Sequence, residues 1–115
     1  MRTDMQRRPD ECENMDHIRE EIDRLDNLLV DLMVERFGYV DKAWKIKQEE
    51  QRGEGARVPW RIQQVINHVR ERAVSKGLPP ELAEALWRQM IGWFVQYEEE
   101  QLDEANGDTT PGNKK

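Results

Sequence analysis

The stretch MDHIREEIDRLDNLLVDLMVERFGYVDKAWKIKQEEQ, residues 15–51, decides the fold. Its apolar residues recur at Ile18, Ile22, Leu25, Leu29 and Leu32, then at Val40 and Ala43. Steps of four and three alternate, which places these side chains on one stripe of an α-helix. No proline breaks the run, and Gly38 is its one glycine. Asp16 reads as a candidate N-cap, and Glu20 and Glu21 stand in the first turns, where the helix macrodipole favours acids. The spacing therefore predicts a helix of about 36 residues, roughly 54 Å long at 1.5 Å per residue. A compact monomer of this chain's size is much narrower than that.

Downstream, Arg52-Gly53-Glu54-Gly55-Ala56 supplies a turn, and Val58-Pro59-Trp60 leads into a second helix at about Pro59 to Lys76. Its stripe is Ile62, Val65, Ile66, Val69 and Ala73, and Gly77 stands where a C-terminal cap belongs. After Gly77-Leu78-Pro79-Pro80, Pro79 or Pro80 opens a third helix carrying Leu82, Leu86, Met90, Ile91, Trp93, Phe94 and Tyr97, which ends near Asp103. No segment alternates with period two. The predicted class is all-α, with one long and two shorter helices. Residues 1–14 lack periodicity and read as a mobile N-terminal arm. Residues 15–102 form the helical domain, and residues 103–115 read as a mobile C-terminal tail. Two short helices cannot cover the long seam, so a dimer with its long helices side by side is expected.

Composition agrees with a shared core. The chain has 115 residues, a net charge of −6 and only 37 % apolar residues, against roughly 45–50 % for an ordinary globular domain. The acidic balance argues against nucleic acid as a partner. No apolar run reaches the ~18–20 residues of a membrane span, so no membrane partner is expected. The N-terminal sequence has no apolar signal-like segment, and the cytoplasm is the expected compartment. The single cysteine, Cys12, excludes an intramolecular disulfide framework and a cysteine-cluster metal site.

Several charged residues interrupt the apolar pattern. Arg36 falls on the first helix's seam, four after Leu32 and four before Val40, and Lys47 lies four after Ala43. Arg19 flanks the start of the seam. Arg61 opens the second helix, and Glu98 continues the stripe Trp87, Ile91, Phe94 of the third. A cation on an apolar stripe is costly unless it is paired or binds an anion. Taken singly, each has a structural alternative: Arg36 could pair with Glu98 or another acid, and Lys47 could reach water from near the helix end. Taken together they form a cluster with more cations than acids on inward faces, which fits a small polyanion. His68 and Glu71, spaced i, i+3, lack a third ligand and read as a solvated pair, so no metal is expected. There is no glycine-rich phosphate loop and no nucleophile–base set.

The pattern Ile18-Arg19-x-x-Ile22-Asp23-x-Leu25-Asp26-x-x-Leu29-x-x-Leu32-x-x-Glu35-Arg36, with Lys47 eleven residues on, resembles the opening helix of the all-helical chorismate mutase family. The loop before Arg61, then Gly77-Leu78-Pro79 and Leu86-x-x-x-Met90-Ile91, continue the resemblance over residues 15–102. It implies an intertwined six-helix homodimer with two shared sites, each holding a small dicarboxylate such as chorismate. It further implies that Arg19 enters each site from the partner chain, while Arg36, Lys47, Arg61 and Glu98 come from the other. Lys47 would face the ether oxygen, Arg19 and Arg36 would hold the enolpyruvyl carboxylate, and Arg61 would lie near the ring carboxylate. Glu98 matches a Gln or Glu that hydrogen-bonds the ether oxygen. Lys47, Glu98 and Arg36 are thus the implied catalytic residues, and no cofactor is required.

The implied reaction is the [3,3] rearrangement of chorismate to prephenate in aromatic amino-acid biosynthesis. The carbon–oxygen bond breaks ahead of carbon–carbon bond formation, and negative charge grows on the ether oxygen. A fixed cation and a protonated acid aimed there stabilise the transition state more than the ground state. Ile62 and Val58 stand where bacterial mutases commonly carry acids. An apolar residue at Ile62, and the turn Ile91-Gly92-Trp93-Phe94, are more similar to the related isochorismate–pyruvate lyases, which release salicylate. Glu98 points the other way, since those lyases carry Gln there. The alternatives are this lyase, an amino-deoxychorismate mutase, and a non-enzymatic helical dimer whose interior cations are merely paired.

Overall fold

The computed structural model describes residues 6–50 and 58–105, and they are helical almost throughout. A single 3₁₀ turn, Pro9–Glu11, precedes three α-helices: α1 Met15–Glu50, α2 Pro59–Lys76 and α3 Pro80–Ala105. No strand occurs among the described residues. The all-α class and the three-helix order are those of the sequence pattern. The turn at residues 52–56 and the tail from residue 106 lie outside the described residues.

The polypeptide divides into two units, Met1–Ala43 and Trp44–Lys115. In the first unit, α1 begins at Met15, and the backbone N–H of His17 donates to Asn14 Oδ1 at 2.9 Å. Asn14 is therefore the N-cap, not Asp16. Its side chain satisfies the third N–H of the helix, while Asp16 lies inside the first turn, where its negative charge complements the positive end of the macrodipole. The stripe residues Ile22, Leu25, Leu29 and Leu32 are exposed, Leu32 to 61 %. So are Leu28, Val30, Met33 and Val34, which point in other directions round the same turns. A helix apolar on all sides is stable in water only when other helices enclose it.

The second unit has a core. Val58 caps α2 through its backbone carbonyl, which accepts from the N–H groups of Arg61 and Ile62, and Pro59 occupies the first helical position. At the far end Gly77 takes φ +86°, and the N–H of Leu78 reaches Ala73 O at 2.9 Å, so the helix closes in a left-handed turn that suits glycine. Pro79 O accepts from Leu82 and Ala83, which makes Pro80, of the two prolines, the first residue of α3. The tight connection returns α3 against α2. Ile66, 1 % exposed, is the most buried large side chain, and Ala73, Ala83, Val95 and Trp44 complete the buried apolar set. On α3 Ala83, Val95 and Glu98 are buried and the expected stripe Trp87, Ile91 and Phe94 is half-buried, whereas Leu82, Leu86 and Trp93 stay exposed. The helix is apolar over more of its circumference than one neighbour can cover.

An ion triad ties the two helices. Arg70 Nη1 on α2 donates to Glu84 Oε1 at 2.7 Å, and Arg88 Nε on α3 donates to Glu84 Oε2 at 2.6 Å. The Arg88 hydrogen bond chiefly holds the Glu84 carboxyl below its ordinary value of 4.5; burial pushes up, and Arg70 adds to the lowering. Because the folded value lies below the unfolded one, this carboxylate's contribution is complete above about pH 4.5 and is lost as pH falls through the folded value. Melting followed by circular dichroism from about pH 6 to about pH 3 is expected to show a steeper acid loss of Tm for the natural chain than for Glu84→Gln. Parallel curves would leave the triad without weight in stability.

Candidate functional site

Arg19 lies in the second turn of α1, exposed, with Nη1 3.8 Å from Asp16 Oδ1. Arg36 lies 17 residues on, half-buried and engaged with neighbouring groups. Both belong to one unit and one helix, so their Cα atoms are separated by about 25 Å along its axis. No dicarboxylate of ordinary size touches both side chains of one chain. The structure therefore does not bring Arg19 and Arg36 together within a protomer.

The other three residues belong to the second unit. Lys47 is half-buried in the last turns of α1, where a cation complements the carbonyl end of the helix. Arg61 is exposed in the first turn of α2, and its Nη1 donates to Gln64 Oε1 at 2.7 Å. That turn has no acid and no side-chain cap, so the positive end of the helix and the Arg61 guanidinium lie side by side without a carboxylate of the same turn to oppose them. Glu98, on α3, is 6 % exposed and engaged with neighbouring groups. A carboxyl so far from water is the unusual feature of this helix, and among the described residues no buried side-chain polar atom lacks a hydrogen-bond partner. Ile62 and Val58, in the same first turn as Arg61, are half-buried.

Sequence reasoning missed a second group of charges. Arg7 Nη1 donates to Glu20 Oε1 at 3.0 Å and to Glu21 Oε2 at 3.1 Å, and Arg24 Nε donates to Glu21 Oε1 at 2.9 Å. Glu21 is 9 % exposed. The Arg24 hydrogen bond lowers its carboxyl below the ordinary range, burial opposes, and Arg7 assists. The i, i+3 spacing of Glu21 and Arg24 is readable in sequence, but a partner fourteen residues upstream in an aperiodic segment is not.

Among the described residues no three or more His, Cys, Asp or Glu side chains are placed to hold a metal ion, and His68 and Glu71 gain no third donor. No helix among them is long and apolar enough to cross a membrane.

Residues 18–99 match the family model described as Chorismate mutase type II. The isochorismate pyruvate lyase of Pseudomonas aeruginosa is 30 % identical over 87 residues, which span 76 % of this chain and 83 % of that protein. The matched segment runs from the first apolar residue of the α1 seam to the residue after Glu98, and so contains all five site residues predicted from the sequence. With the family model matched over most of its length, the chain belongs to the chorismate mutase type II family, whose members bind chorismate-like small molecules.

Proposed function

We propose that the chain is a chorismate mutase, converting chorismate to prephenate at two equivalent sites of a homodimer. Glu98 carries this reading. Its carboxyl is buried on an apolar helix face and engaged with neighbouring groups, which holds it in one position, and in its protonated form it can donate a hydrogen bond to an oxygen on which charge grows. Lys47 supplies a cation to the same oxygen. Arg36 and the partner chain's Arg19 hold the enolpyruvyl carboxylate, and Arg61 receives the ring carboxylate. These groups bind and orient the reactive conformer, and the reaction calls for no nucleophile and no cofactor.

A second reading is isochorismate–pyruvate lyase, favoured by the Pseudomonas relative and by apolar Ile62 beside Arg61. The two readings share the cationic clamp and differ in the bond that forms. Purified protein given chorismate is expected to consume its ultraviolet absorbance with prephenate as product. Salicylate fluorescence from isochorismate, without prephenate from chorismate, would establish the lyase instead. Neither product would leave the non-enzymatic dimer.

The dimer rests on two observations. The α1 seam is exposed, together with apolar residues on the other sides of residues 28–34, and Arg19 and Arg36 are too far apart to serve one site from one chain. Sedimentation at micromolar concentration is expected to give twice the 13.7 kDa chain mass. A folded, active monomer would overturn the shared site.

A further inference from the structure

The N-terminal segment is built onto the part of α1 that carries Arg19. Pro9–Glu11 forms a 3₁₀ turn closed by Glu11 Oε1, which accepts from the Arg8 N–H at 2.7 Å. The N–H of Glu13 donates to His17 Nδ1 at 3.0 Å, and Asn14 caps the helix through the His17 N–H. Arg7 then reaches back over this turn to Glu20 and to the buried Glu21, which Arg24 holds from the other side. In the first two turns of α1 the His17 N–H and the carboxylates of Glu20 and Glu21 are thus engaged by residues 7–14 and by Arg24. Arg19 sits inside this region, exposed, with a long contact to Asp16.

Helix ends fray because their first N–H groups lack partners within the helix. An arginine in the second turn of a fraying helix samples many positions, and a ligand it grips must then order it at the expense of affinity. By the helical period, Glu21 and Arg24 lie on a side of α1 away from Arg19, so residues 7–14 can hold the turns without covering the guanidinium.

We infer that Arg7 is a positioning residue for Arg19: by clasping Glu20 and Glu21 it fixes the first turns of α1 in the orientation from which Arg19 meets the substrate carboxylate. The inference rests on the proposed function for the role of Arg19, and the clasp itself is measurable without it. Cys12 is the one cysteine of the chain and is half-buried within the clasp, so its reaction with a disulfide reagent reads the opening of the segment directly.

The test uses the full chain, with Arg7→Ala, Arg7→Lys, Arg19→Ala and the Arg7→Ala/Arg19→Ala double variant. Arg7→Ala is expected to speed Cys12 labelling by roughly fivefold or more and to raise the KM for chorismate by about tenfold, with kcat within about twofold, because a binding cation loses its preset position while the groups at the ether oxygen are untouched. Arg7→Lys, which keeps one donor nitrogen for both carboxylates, is expected to recover part of both effects. In the Arg19→Ala background, Arg7→Ala is expected to change KM by less than about twofold while still speeding Cys12 labelling. Arg8→Ala, whose ion pairs stay within the 3₁₀ turn, serves as the control for charge loss.

Unchanged Cys12 labelling in Arg7→Ala would overturn the clasp. Faster labelling with unchanged KM, or equal KM effects with and without Arg19, would overturn the positioning role. A natural chain that turns over neither chorismate nor isochorismate would overturn the functional reading and with it the role of Arg19, leaving the clasp to be judged on Cys12 alone.

Discussion

Lys47→Ala and Arg36→Ala are each expected to lower turnover of chorismate by roughly 100- to 1000-fold, about 3–4 kcal/mol, while the dimer persists. The magnitude follows from the reaction. On the proposed function, Lys47 meets the charge that grows on the ether oxygen, and Arg36 holds the enolpyruvyl carboxylate in the reactive conformer; alanine leaves the first to reorganising water and the second without its orienting clamp. Lys47 is half-buried in the last turns of α1, so its removal costs little packing. Arg36 is half-buried on the same stripe, and circular dichroism with sedimentation separates its loss from a loss of fold. Unchanged turnover in either variant would make that cation structural. Chains with Arg19→Ala and chains with Arg36→Ala, co-refolded, are expected to recover about a quarter of the natural number of sites, because a mixed dimer rebuilds one intact site of its two. No recovery after verified mixing would contradict the cross-chain assignment.

The second large effect concerns Glu98. Glu98→Ala is expected to be slow at every pH, again by roughly 100-fold or more, because the donor to the ether oxygen is gone. A carboxylate cannot donate a hydrogen bond, so activity of the natural chain is expected to fall as pH rises through the ionisation of Glu98 in the complex. Glu98→Gln keeps a donor and removes the titration, and its profile is expected to be flatter. Superimposable profiles for the natural chain and Glu98→Gln, over the range where both are folded, would remove Glu98 from the ether oxygen.

The helices were legible because their signals are local. A 4-3 step over residues 18–43, a proline opening each later helix and Gly77 closing α2 repeat what the structure shows within a residue or two. The first cap was not, because Asn14 and Asp16 are both good capping residues and backbone geometry chooses between them. On α3 the stripe Trp87, Ile91, Phe94 and Glu98 was legible, but the burial of Ala83 and Val95 was not, for a related reason. Periodicity marks every apolar side chain, and only the neighbour decides that Ala83 and Val95 are buried while Leu86 and Trp93 are not. For the candidate site, Arg36 and Lys47 stood out as cations on an apolar stripe and Glu98 as an acid in line with one. Arg7 did not, since its partners are fixed by a fold-back that no period records.

The contrast between the two units bears on the order in which the chain acquires structure. The α2–α3 pair is joined by a tight turn and has its own buried contacts around Ile66, Ala73 and Ala83, so its contacts form between sequence neighbours. Residues 28–34 present apolar side chains in every direction and find no cover in Met1–Ala43. In a homodimer, the long helix gains its stability at the moment of association. Refolding of the proposed homodimer is then expected to show a fast phase independent of concentration and a later one that accelerates with it, and exchange of chains between finished dimers is expected to be slow.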